Sequence, residues 1–109
     1  MAYDEMLAER VRRALAGQDR FSERKMFGGM AFMIRGHMCC GVVGQDLMVR
    51  VGADHYEAAL AEPYARHMDF TGRPLRGMVY VGPGGNETDE ALLEWIKRGV
   101  EFAASLPPK

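Results

Sequence analysis

The stretch that decides the fold runs from Ser22 to Gly52 and reads SERKMFGGMAFMIRGHMCCGVVGQDLMVRVG. Its strand-sized segments are separated by three short links, Gly28-Gly29, Arg35-Gly36-His37 and Gly44-Gln45-Asp46. Glycine adopts the positive φ of tight hairpin turns at little cost. Links this short join antiparallel neighbours, because a parallel crossover needs about a dozen residues or more. The stretch therefore predicts four consecutive antiparallel strands, over residues 23–27, 30–34, 38–43 and 47–51.

Helical periodicity replaces the strand pattern on both sides of this meander. Tyr3, Leu7 and Val11 recur at helical spacing, which predicts a helix over residues 4–16 with Asp4 as its N-cap. The pair Asp54 and Glu57 resembles a capping box and predicts a short helix up to residue 60.

The remainder of the chain is predicted to hold a loop, a strand and a last helix. Proline and glycine at Pro63, Gly72 and Pro74 predict an ordered loop over residues 63–75. A fifth strand follows at residues 77–81. The last helix is predicted to be capped by Asn86 or Thr88. A glycine in the middle of a helix is unfavourable, and Gly99 therefore indicates a close crossing of this helix over the sheet.

The predicted order of elements is α-β-β-β-β-α-β-α. Consecutive strands that do not alternate with helices favour an α+β domain of two layers. We expect an antiparallel sheet of about five strands with the helices on one face. Because the chain has 109 residues, we expect one domain over residues 1–109.

Composition and charge exclude several classes of protein. With 14 basic and 15 acidic side chains and a net charge of -1, the chain is not a strongly basic nucleic-acid binder. No apolar run approaches the roughly 18 residues that cross a bilayer, and the N-terminus does not resemble a signal peptide. We therefore expect a cytoplasmic protein that does not contact membranes.

The sequence contains no recognisable catalytic or metal-binding motif. Its two cysteines, Cys39 and Cys40, are adjacent, whereas zinc sites use spacings such as C-x-x-C. In a strand they are expected to point to opposite faces, which disfavours a disulfide between them. No paired carboxylates, nucleophile elbow or phosphate-binding loop is present. We expect no enzyme activity, no metal and no cofactor.

Two groups of residues are candidates for binding. Basic side chains on or beside the strands form a possible anion or partner patch; they are Arg24, Lys25, Arg50, Arg73 and Arg76. The alternative is a solvated face with surface salt bridges.

The second candidate is a sheet that is apolar on both faces. Helices on one side would leave the other face as a possible interaction face; its residues are Ala31, Met33, Cys39 and Val43. An exposed apolar face of this kind is typical of a partner surface or a dimer interface. The alternative is that the loop at residues 63–75 covers it.

Several ordered segments of the chain resemble the TfoX N-terminal domain family. The resemblance extends over nearly the whole chain, to about Leu106-Pro107-Pro108. The segments that carry it are Met1-Ala2-Tyr3-Asp4-Glu5, Arg24-Lys25-Met26-Phe27-Gly28-Gly29, Cys40-Gly41-Val42, Leu47-Met48-Val49-Arg50-Val51, Met68-Asp69-Phe70-Thr71-Gly72-Arg73-Pro74, Gly77 and Tyr80-Val81.

The resemblance implies a two-layer α+β fold and a regulatory role. The family is named for TfoX/Sxy regulators of natural competence, which act on transcription with the cyclic-AMP receptor protein. Those regulators add a helical C-terminal domain, and this chain resembles the N-terminal domain standing alone. The family supplies no established catalytic residues.

Three functional hypotheses follow. The first is a non-enzymatic regulatory domain that binds a protein, which could belong to the transcription machinery or be a second copy of the chain. The second is a nucleic-acid binder that uses the basic residues. The third is a small-ligand protein in which Arg50 and Arg73 hold an anionic group beneath the loop at residues 63–75.

Overall fold

The computed structural model describes residues 3–18, 20–26, 28–69 and 74–107. The predicted meander is confirmed, and each of its strands pairs antiparallel with the next. Its strands are β1 (Ser22–Met26), β2 (Gly29–Ile34), β3 (His37–Val43) and β4 (Asp46–Arg50).

The prediction of a loop over residues 63–75 is wrong in part, because the structure has a strand in this segment. Residues Ala65–Asp69 form β5, which pairs antiparallel with β6 (Pro74–Val81). β6 also pairs with β4, so the sheet has six strands in the order β1-β2-β3-β4-β6-β5. The predicted fifth strand is thus the second half of β6. The sequence of β5 has no apolar alternation, and β5 lies at an edge of the sheet. Its strand conformation therefore depends on its backbone pairing with β6.

The described residues also form three α-helices, namely α1 (Glu5–Leu15), α2 (Tyr56–Leu60) and α3 (Asp89–Ser105). The Asp4 carboxylate accepts hydrogen bonds from the backbone N–H groups of Met6 and Leu7, as its predicted role as N-cap requires. Thr88 caps α3 by accepting from the Ala91 N–H. No helix in the described part of the chain is long and apolar enough to span a membrane.

The capping box predicted at Asp54 does not form. A 3-10 helix occupies Ala53–His55 and leads directly into α2, whose N-cap is His55 without a side-chain hydrogen bond. The tighter 3-10 turn places Asp54 inside a helical turn, so its carboxylate cannot serve as the cap of α2.

The main core lies between the helices and one face of the sheet. Phe32, Val42 and Val49 contribute to it from the strands, and Leu7, Val11 and Trp95 from the helices. Gly99 confirms the predicted close crossing, because a Cβ at this position would lie 2.4 Å from the backbone oxygen of Cys39.

A β-bulge in β3 corrects the predicted position of Cys39. Phe32 pairs with Cys40 and Met33 pairs with Met38, so Cys39 has no partner in β2. An extra residue in one strand breaks the alternation of side chains. Cys39 and Cys40 therefore both contribute to the core beneath the helices, and Cys39 is not part of the opposite face.

We expect both thiols to be unreactive in the folded protein. Cys39 and Cys40 are free and fully buried. A hydrogen bond with Cys39, together with burial, raises the pKa of the Cys40 thiol. Because the thiolate is the reactive form, Ellman's reagent should label no thiol in native protein and both in guanidinium chloride. Rapid labelling of the native protein would contradict this packing.

Candidate interaction face

The face of the sheet opposite the helices carries a second apolar cluster, which we call the methionine face. Ala31 and Met48 at its centre are fully buried, and Met38 is 8% exposed. Four half-buried side chains surround them, namely Met33, Val43, Met78 and Tyr80. The cluster thus has a dry centre and a partly exposed border.

The register of the sheet explains why these residues share a face. Met48 lies directly opposite Tyr80 in β6 and opposite Gly41 in β3. A Cβ at Gly41 would lie 2.4 Å from the Met48 methyl carbon, so the absence of a side chain leaves room for Met48. The bulge at Cys39 turns Met38 to the same face as Met33.

Arg24 and Arg66 border the methionine face at opposite edges of the sheet. Arg24 is exposed and lies opposite Ala31 in the register of β1 and β2. Arg66 lies opposite Tyr80 in β5 and β6, and its guanidinium carbon is 5.1 Å from the centroid of the Tyr80 ring. These positions add cationic groups to an apolar surface.

Arg66 also forms an ion pair with Asp46, which begins β4. Burial raises the pKa of the Tyr80 hydroxyl, and the Asp46 carboxylate raises it further, whereas Arg66 lowers it. Tyr80 therefore stays neutral near pH 7 and keeps a hydroxyl hydrogen that can be donated to a bound group.

Three of the predicted basic residues have side chains that the structure describes, and these three do not form one patch; they are Arg24, Lys25 and Arg50. Lys25 pairs with Met30, which packs against the core on the helix side, so Arg24 and Lys25 face opposite sides of the sheet. Arg50 is in β4, which β2 and β3 separate from β1, and its guanidinium carbon lies 5.0 Å from the centroid of the Phe102 ring. Arg73 lies outside the described residues, and Arg76 is in β6 with its side chain outside the description.

The structure places the four residues named for the interaction face on both sides of the sheet. Ala31, Met33 and Val43 belong to the methionine face, whereas Cys39 lies beneath α3. Sequence reasoning missed Met48 and Met78, although the alternation of Met48 with Leu47 and Val49 could have placed it. Within the described ranges, no helix packs over this face and no three potential ligands form a metal site.

Comparisons with curated proteins and with solved structures gave no match. The family model of the TfoX N-terminal domain matches residues 13–103, which include all six strands, α2 and most of α3. Since this match covers most of the chain and agrees with the α+β architecture, the chain belongs to the TfoX N-terminal domain family.

Proposed function

We propose that this protein is a non-enzymatic regulatory domain that binds a partner protein through the methionine face. The observation that carries the proposal is the apolar cluster on the side of the sheet opposite the helices, with Met33, Met78 and Tyr80 half-buried at its border. Methionine side chains are flexible and polarisable, which suits a surface that must adapt to a partner. The family assignment supports a regulatory role, and a cytoplasmic location is part of the proposal.

The charges at the border favour an acidic partner segment. Arg24 is exposed, and Arg66 has hydrogen-bond donors beyond those that contact Asp46. Guanidinium groups form strong, often bidentate hydrogen bonds with carboxylates. We therefore infer that the occupant is a segment of another protein in which apolar side chains alternate with aspartate or glutamate.

Nucleic acid is less well supported as the partner. Phosphate binding depends on several cations that neutralise neighbouring phosphates. Arg24 and Arg50 are on strands separated by two others, and Lys25 faces the opposite side of the sheet from Arg24. These three residues therefore offer no continuous track for a phosphate backbone.

A charge placed on the methionine face should abolish partner binding. Met33→Asp buries a carboxylate against apolar side chains in the complex, which is unfavourable. The control is Met6→Asp on α1, where the side chain is 80% exposed and remote from the face. Quantitative mass spectrometry of proteins retained from nuclease-treated extract should show a partner kept by wild type and Met6→Asp, and reduced at least tenfold with Met33→Asp.

Arg24→Glu tests the charge of the partner with a side chain that cannot disturb the core, since Arg24 is exposed. It should weaken binding of the purified partner at least fivefold, and cross-linking should locate an acidic, apolar segment on the methionine face.

Equal recovery of proteins by wild type and Met33→Asp would refute the proposal. A wild-type dimer that Met33→Asp converts to a monomer would instead assign the face to a second copy of the chain.

A further inference from the structure

A second concave site lies on the helix side of the sheet, beside α3. It is a cavity of about 800 Å³ between the C-terminal half of α3 and the segment that joins β4 to α2. Sites for small ligands usually measure roughly 300–1,000 Å³. Arg98, Glu101, Phe102 and Ser105 line one wall, and their spacing along α3 places them on one face of that helix.

The apolar floor of this cavity is fixed in position. A Cβ at Gly52, where φ is 87°, would lie 2.5 Å from the Phe102 ring, so the ring packs directly on the glycine backbone. The Arg50 guanidinium lies over the same ring. Val51 and Ala58 extend the apolar lining. The cavity thus offers a preformed apolar surface beside Phe102.

The rim of the cavity carries both signs of charge. Arg98 is held by Trp95, whose ring centroid is 4.4 Å from the guanidinium carbon, and by Glu62 at 3.3 Å. One of its five N–H donors is used in that ion pair, and the others remain. The carboxylates of Asp54 and Glu101 make no hydrogen bond or ion pair with any residue in the described ranges.

We propose that this cavity binds a small zwitterion with an apolar side chain, of the amino-acid or short-peptide type. The ammonium group would be bound by Asp54 and Glu101, the carboxylate by Arg98, and the side chain by Phe102. A purely cationic ligand would contact only Asp54 and Glu101, whereas a zwitterion would also use the remaining N–H donors of Arg98. The inference is independent of the partner proposed for the methionine face.

Titration of the isotope-labelled chain by amide NMR tests this proposal. L-leucine and the dipeptide leucyl-leucine are the two probes, and tighter binding of one or the other identifies a free amino acid or a short peptide as the source. Saturable shifts should be confined to residues 51–58 and 98–105. Two analogues that each carry one charge, 3-methylbutylamine and 4-methylpentanoate, should bind at least tenfold more weakly.

A matched pair of variants on α3 provides the control. Glu101→Gln should weaken binding of the preferred zwitterion at least fivefold, whereas Glu94→Gln, an exposed position outside the cavity, should leave it unchanged. The amide spectrum of each variant shows whether it is folded. The absence of saturable shifts with both probes, equal binding of either analogue, or equal binding by Glu101→Gln would overturn the proposal.

Discussion

Replacing Gly99 by alanine is expected to destabilise the domain by about 3 kcal/mol, the upper end of the usual range for overpacked cores. In an exposed helix the same change stabilises by about 1 kcal/mol, because alanine has the higher helix propensity. The sign reverses here because the added Cβ would lie 2.4 Å from the backbone oxygen of Cys39 and 3.1 Å from its Sγ. A backbone oxygen held in a sheet cannot move aside as a flexible side chain can, so α3 must lift from β3.

Urea unfolding at 25 °C measures this change as a lower midpoint concentration of urea, while the slope of the unfolding free energy against urea concentration stays unchanged. Ala104→Gly is the control, since Ala104 is exposed on the same helix and its replacement should cost about 1 kcal/mol through propensity alone. A Gly99→Ala protein that is as stable as wild type, or more so, would show that α3 does not approach the sheet this closely.

Replacing Phe32 by alanine is expected to lower the free energy of unfolding by about 3–5 kcal/mol. Phe32 is fully buried at the centre of the helix side of the sheet. Its ring is stacked against Phe21 with a centroid distance of 6.1 Å and an interplanar angle of 7°. Truncation removes both the buried surface and this aromatic contact, and leaves a cavity that the surrounding strands cannot close.

The matched control for Phe32→Ala is Leu93→Ala. Leu93 is a large apolar side chain on α3 that is 51% exposed, and its loss should change stability by about 0.5 kcal/mol or less. Thermal unfolding followed by circular dichroism compares the two variants directly. Similar midpoints for the two would contradict the assignment of Phe32 to the main core.

The meander could be predicted from sequence because its determinants are local. Glycines in short links fix antiparallel neighbours without any knowledge of the rest of the chain, and β1 to β4 follow within one or two residues. β5 could not be predicted, because Ala65, Arg66 and His67 show no apolar alternation. Its strand conformation depends on pairing with β6, a contact that only the assembled sheet supplies.

The candidate site was predictable to the extent that strands alternate regularly. Ala31, Met33 and Val43 followed from period-two spacing, and they lie on the methionine face. The position of Cys39 did not follow from this spacing, because a β-bulge shifts the register of β3 and nothing in the local sequence marks the bulge. The basic residues Arg24, Lys25 and Arg50 lie apart for a different reason, since neighbours in β1 face opposite sides of the sheet and two strands separate β1 from β4.

The two ends of the described chain are attached to opposite ends of β3. Tyr3 forms a bridge with Gly44 just after this strand, and the carbonyl oxygen of Pro107 lies 2.6 Å from Nε2 of His37 at its start. At about 3.4 Å per residue, these points are roughly 20–25 Å apart. A circular permutant therefore needs a linker of at least about seven extended residues to join them. Labels fused before Tyr3 and after Pro107 would emerge at opposite ends of the sheet, a geometry suited to measuring an end-to-end distance by energy transfer.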